Sequence, residues 1–197
     1  MKKIVSLLLV FVMVAAMFAG CATKPAETTT EATTEPAIEV PASSLEILEN
    51  IWALYGDDEK FFAMGGDFNN PVDNAPGNYS LEDAEMFSFQ LYVPAEQVAS
   101  VDEAASLIHA MNTNTFTCGA FHMAEGADAN AFATAIRDNV QSAQWMCGFP
   151  EKLIVAVIGG EYVLMVFGLN DAVNPFETNL AVAYPDAVIA YNEEITG

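Results

Sequence analysis

Positive charge is scarce in this chain. Its 197 residues hold 6 Lys or Arg against 27 Asp or Glu, a formal net charge of −21. Arg137 is the only arginine. A nucleic-acid binder must neutralise phosphates with clustered cations, so the composition excludes that class of partner. Cysteine is scarcer still, with three, at 21, 118 and 147. No CxxC is present, and the two histidines, His109 and His122, form no HxxxH or HExxH. A zinc centre built on local spacing is therefore not expected. GxSxG, SxxK and the phosphate loop are also missing, so no nucleophile or phosphate cradle announces itself. The sequence points to no catalytic residue and no cofactor.

What is present begins at the front. Lys2 and Lys3 precede a run, Ile4 to Gly20, in which every residue but Ser6 is apolar or glycine. A membrane span needs about 20 apolar residues. A positive start, an apolar middle and small residues at the end fit an export signal better. Phe18-Ala19-Gly20-Cys21 resembles the lipobox of bacterial lipoproteins, departing from it at Phe18, where that family usually has Leu. The resemblance implies that residues 1–20 are a cleaved signal peptide and that Cys21 carries a diacylglyceryl thioether. It places the protein on the outer face of the cell membrane. An uncleaved anchor, the other reading, also leaves the rest outside.

Residues 21–42 are rich in Thr, with Glu between and Pro at 25, 36 and 41. Such a composition cannot bury enough apolar surface to offset chain entropy. It reads as a disordered tether. Beyond residue 20 only four basic residues face the same 27 acidic ones. Self-repulsion of that size favours a soluble monomer, and an anionic bilayer would repel it without an anchor.

Residues 43–197 suffice for one domain. Ser43 and Glu46 stand at capping-box spacing, followed by Leu45, Leu48, Ile51, Trp52 and Tyr55 on one helical face. Residues 65–80, rich in Gly, Asn, Pro and Asp, read as a long loop. "MFSFQLYV", 86–93, alternates apolar and polar, which predicts a strand. Val101, Ala104, Ala105, Ile108 and Met111 form a helical stripe, with Ser100 and Glu103 as a second capping pair. Residues 115–123 read as a strand, and 128–146 as a helix capped by Asp128. "KLIVAVIGGEYVLMVFG" is a hairpin turning on Gly159-Gly160. A helix opens at Asn174-Pro175, and another at Pro185 carries Val188, Tyr191 and Ile195 inward. The expectation is an α+β fold: a small, largely antiparallel sheet of about four strands, ending in the hairpin and packed with helices.

Candidate sites are few. Cys118 and Cys147 could form a disulfide closing a loop of about 30 residues, stabilising by about 3–4 kcal/mol in the chain-entropy model, or be buried thiols. Cys118 and His122 share a strand face but lie about 13 Å apart at strand rise, too far for proton transfer. "GDFNNPVDN" offers hard oxygen ligands in Asp67, Asn69 and Asp73. Counted from Asp67, however, Val72 and Asn78 occupy the EF-hand's glycine and glutamate positions, which leaves only an irregular calcium site open. Arg137 points away from the apolar face of its helix.

Residues 96–191, and above all "AIRDNVQSAQWMCGFPEKLIVAVIGGEYVLMVFG" at 135–168, resemble a domain of unknown function found in lipoproteins of Gram-positive, clostridia-type bacteria. That family implies no activity. Three functions follow as expectations. The first is a non-enzymatic binding or accessory module on the envelope. The second is an extracellular enzyme with a dispersed acidic site. The third is a divalent-cation binder using acidic loops.

Overall fold

A computed structural model describes residues 40–111 and 114–196, all within one unit, Ile38–Gly197. The signal peptide expected over 1–20, the lipidation site Cys21 and most of the tether lie outside the described residues. In chain order the elements are α1 (Ser44–Ala53), β1 (Ala63–Gly66), β2 (Pro71–Asp73), β3 (Gly77–Tyr79), α2 (Ala84–Gln90), a 3-10 turn (Ala95–Ser100), β4 (Val101–His109), β5 (Thr117–Met123), α3 (Ala129–Gln141), β6 (Lys152–Ile158), β7 (Tyr162–Gly168), α4 (Asn170–Ala183) and β8 (Val188–Glu194).

The expectation of about four strands is overturned. One sheet of eight strands runs β2-β1-β4-β5-β7-β6-β8, with β3 also paired to β4, and every pairing is antiparallel. The fold is still mixed α and β, but the sheet is its backbone. Helices cover both faces. On one side α1 and α4 enclose Ile47, Leu48, Ile51, Leu107, Cys118, Ile154, Leu164, Val166 and Phe176. On the other, α2 and α3 enclose Phe87, Leu91, Phe121, Phe132, Ile136, Leu153, Val155, Val163 and Phe167. This explains the unbroken apolar runs of β6 and β7: a strand covered on both faces has no polar side to alternate with. The Gly159-Gly160 turn joins them with φ of 61° and 79°, the left-handed values a two-residue hairpin requires.

Four expected elements change type. Residues 101–109 are strand β4, not helix; their alanines sit between two helical layers, where small residues pack on either face. Residues 86–93 hold the end of α2, not a strand. Phe87 and Leu91, one helical turn apart, are buried while Phe89 is 75% exposed. Asp83 caps this helix through the Met86 N–H at 3.0 Å. The helix expected from Pro185 is edge strand β8. The loop at 65–80 contains three short strands.

That last region is a crossover. β1 pairs with the C-terminal end of β4, at Leu107–His109, and β3 takes over at Ala104–Ser106. The two strands pass so closely that a Cβ on Gly65 would stand 2.2 Å from the Gly77 nitrogen. Buried Ser106 ties the exchange together, its hydroxyl donating to the Gly66 carbonyl at 2.8 Å.

Two of the expected helix caps form, at Ser43 and Asp128, whereas Ser100 and Glu103 flank the start of a strand. The Ser43 side chain accepts from the Glu46 N–H at 3.0 Å, and Asp128 accepts from those of Asn130 and Ala131. Helix α4 starts four residues before the expected Asn174, with Pro175 inside its first turns.

Candidate functional site

Ser44, the first residue of α1, is buried, and its N–H donates to Glu103 Oε1 at 2.5 Å. A carboxylate at a helix N-terminus meets its unpaired N–H groups and its positive dipole end. Glu103 thus fastens α1 to β4. Beside this junction opens a groove of about 630 Å³ lined by Ser43, Leu45, Asn78, Tyr79, Leu81, Glu82, Asp102, Glu103 and Ala104. Its walls combine the apolar side chains of Leu45, Tyr79, Leu81 and Ala104 with three carboxylates, and no lining residue is cationic.

A smaller cleft of about 260 Å³ adjoins it through Tyr79 and Glu82, adding Phe68, Asp83 and Met86. Asp67 organises that cleft. It is 8% exposed. Its Oδ1 accepts the N–H groups of Asn69 at 2.7 Å and Asn70 at 3.0 Å, and its Oδ2 accepts that of Ser80 at 3.2 Å. The Asn70 amide donates to both oxygens at 3.3 Å. Burial alone would raise the Asp67 pKa; the donors, led by the Asn69 N–H and the Asn70 amide, outweigh it and hold the group below its ordinary value. These oxygens already serve as hydrogen-bond acceptors. Among the described residues no group of three or more His, Cys, Asp and Glu is gathered to hold a metal ion.

Tyr79 joins the two clefts. Its hydroxyl bonds to the Met86 carbonyl at 3.2 Å and to Gln90 Oε1 at 2.7 Å. Burial first, then the Asp67 and Asp83 carboxylates, push its pKa up to about 12, so it remains a neutral wall.

At the groove's margin Asp102 meets a histidine. The register slips between Val101 and Glu103, so that Asp102 is an extra residue opposite β5. Such a bulge re-aims a side chain. Asp102 Oδ1 lies 2.5 Å from His122 Nδ1, with 29% of the His122 side chain exposed. The carboxylate fixes Nδ1 as the donor, which leaves Nε2 as the outward nitrogen. The imidazole rests on Tyr162 at 4.8 Å between ring centres. Among the described residues no hydroxyl or thiol hydrogen-bonds to Nε2. The pair can orient an imidazole for acid–base work or for recognition of a ligand group.

The structure separates most residues that the sequence singled out. Cys118 and Cys147 are both free thiols, so no disulfide joins them. Cys118 is buried among the side chains under α1 and α4, whereas Cys147 is exposed on the loop after α3, which packs on the opposite face. His109 ends β4, stacked on Phe61 at 5.1 Å, on the far side of the sheet's length from His122. Arg137 is a latch: Nε and Nη2 grip Glu193 at 2.8 and 2.7 Å, and the guanidinium lies over Tyr191, fixing β8. The Asp102–His122 pair was missed because 101–111 reads as a helix. Taken as a strand, it would pair with 117–123 and place Glu103 opposite His122.

No protein-family description, no curated protein and no solved structure matches this chain. Among the described residues no helix is long and apolar enough to cross a membrane.

Proposed function

We propose that this is an exported envelope lipoprotein, anchored through Cys21, whose folded domain is a binding module for cationic ligands with an apolar body. The groove beside α1 carries the reading. Leu45, Tyr79 and Leu81 supply apolar surface, and Glu82, Asp102 and Glu103 supply charge of a single sign. Complementary charge guides encounter and excludes wrong partners more than it adds affinity. A ligand here is steered by carboxylates and held by contact with the apolar walls.

The test is fluorescence anisotropy with a dye-labelled peptide of alternating Lys and Leu. Binding should weaken as salt rises and fall at least about tenfold in a Glu82→Gln/Asp102→Asn variant, a loss of about 1.4 kcal/mol. Glu103 is left intact because it holds α1. Unchanged affinity in that variant would refute the groove as the docking face.

The Asp102–His122 pair favours a second reading, an extracellular enzyme performing acid–base chemistry at the groove's margin. Turnover of an ester or glycoside substrate that disappears in His122→Gln, with the fold retained, would establish it.

A further inference from the structure

Two stretches of this acidic chain, 86–95 and 139–150, contain no Asp, Glu, Lys or Arg. The uncharged stretches 153–160 and 162–170, by contrast, are mostly buried strand. These two reach the surface and meet there. Trp145, on the loop after α3, packs on Tyr92 at 5.4 Å and on Phe167 at 5.3 Å, and Tyr92 packs on Phe167 at 5.0 Å. Tyr92 holds φ of 56°, rare for a bulky residue; Asn139 Nδ2 donates to its carbonyl at 2.7 Å and ties it to α3. The stack is therefore a fixed platform. Beside Trp145 on the same loop, Met146 is 89% and Phe149 66% exposed, with exposed Cys147 between them. Phe89, three residues before Tyr92, is exposed as well. Gly148, at φ 95°, turns the loop, and Pro150 is buried at its root.

We infer that this uncharged aromatic surface is a second membrane contact, lying in the interface of the bilayer that holds the N-terminal anchor. The inference rests on the anchored half of the function proposed above. Tryptophan and tyrosine favour the boundary between lipid and water, where one end of the ring is wet and the other apolar. Most of the molecule is repelled by anionic lipid; the stretches 86–95 and 139–150 themselves carry no carboxylate to repel. Reach decides whether it can arrive. The described chain begins at Val40, beside Gly159 at one end of the β6–β7 hairpin, while Phe167 stands near the other end, about 20 Å along the strands. Residues 21–39 span at most about 65 Å when extended, against a domain diameter of about 40 Å. The domain can lie down on this face while Cys21 stays in the bilayer. The two chains of the diacylglyceryl anchor suffice for attachment; the second contact sets how the domain lies on the bilayer.

Cys147 provides the probe. In the full acylated protein it is the one exposed thiol among the described cysteines. It is labelled with an NBD dye, and the protein is reconstituted on phosphatidylcholine vesicles with or without brominated acyl chains. The expected result is a blue-shifted, severalfold brighter emission that brominated lipid quenches. In a Met146→Ser/Phe149→Ser variant both signals are lost while the protein still floats with the vesicles. The two substituted side chains are exposed, so the fold is undisturbed. Floated wild-type protein with an aqueous, unquenched signal overturns this inference alone. Protein that does not float overturns the anchor and this inference with it.

Discussion

Replacing Asp67 with Asn tests whether one carboxylate organises the region between β1 and β3. Asparagine keeps the shape but removes the charge and turns one acceptor into a donor. If the amide oxygen takes the place facing Asn69 and Asn70, the new NH2 faces the Ser80 N–H, and that bond is lost. A hydrogen bond to a charged group contributes about 1.5–3 kcal/mol, and the bonds that remain weaken with the loss of charge. The expected destabilisation is about 2–4 kcal/mol. For a domain of this length each kcal/mol moves Tm by about 2–4 °C, so Tm should fall by about 5–15 °C at pH 7. Melting followed by circular dichroism, repeated at falling pH, gives a second reading. Asp67 titrates in the folded state below its ordinary value. Its contribution is therefore complete above about pH 4 and is lost as pH falls through the folded pKa. The gap between wild type and Asp67→Asn should close over that range. Equal Tm at pH 7, or a gap that persists unchanged into acid, would refute the reasoning.

Gly65→Ala should destabilise by about 3 kcal/mol, because the clash is with backbone of Gly77 and Pro76 that cannot rotate away; a urea midpoint equal to wild type would show that the crossover can spread. With Cys21 acylated, one thiol, Cys147, should react quickly with Ellman's reagent. Cys118 should react only in denaturant, since complete burial keeps its thiol protonated; two fast thiols would contradict the placement. Burial lowers the His109 pKa, so the unfolded chain binds that proton more readily. Stability from neutral His109 is full above about pH 6.5 and declines as pH falls toward the folded value. His109→Gln should flatten that part of the stability–pH curve, and an unchanged slope would assign it to other groups.

Local chemistry was the legible part of the fold. Ser43, Asp128 and Gly159-Gly160 do what their side chains, or the lack of one, dictate within a few residues, and the structure uses them so. The errors have different causes, and the first is the assumption that a segment has a single buried face. β4 lies between two helical layers, so Ala104 points to one side and Ala105 to the other. Small residues buried on both sides imitate a helical stripe. In α2 the reverse occurred: exposed Phe89 filled a gap between Phe87 and Leu91 and made a helix look alternating. β8, on an edge, buries too little to imprint any period. The groove depends on β4 being a strand, so Asp102 and His122 could not be joined from sequence alone. Tyr79 was hidden in what read as a loop over 65–80, and Leu81 follows it directly.

The two borders of the sheet are finished differently from its middle. Along β8 the pairing with β6 skips Ala190, and Glu193 and Glu194 follow; along β2 the border begins with Pro71, which has no N–H to offer. Kinks, carboxylates and proline are the means by which exposed strand borders refuse new strands. Molecules confined to a plane collide with their neighbours far more often than molecules free in three dimensions. On the anchor proposed above, ragged, negatively charged borders would let such a crowd jostle without zipping into fibres, so that surface density could rise while each copy stays separate.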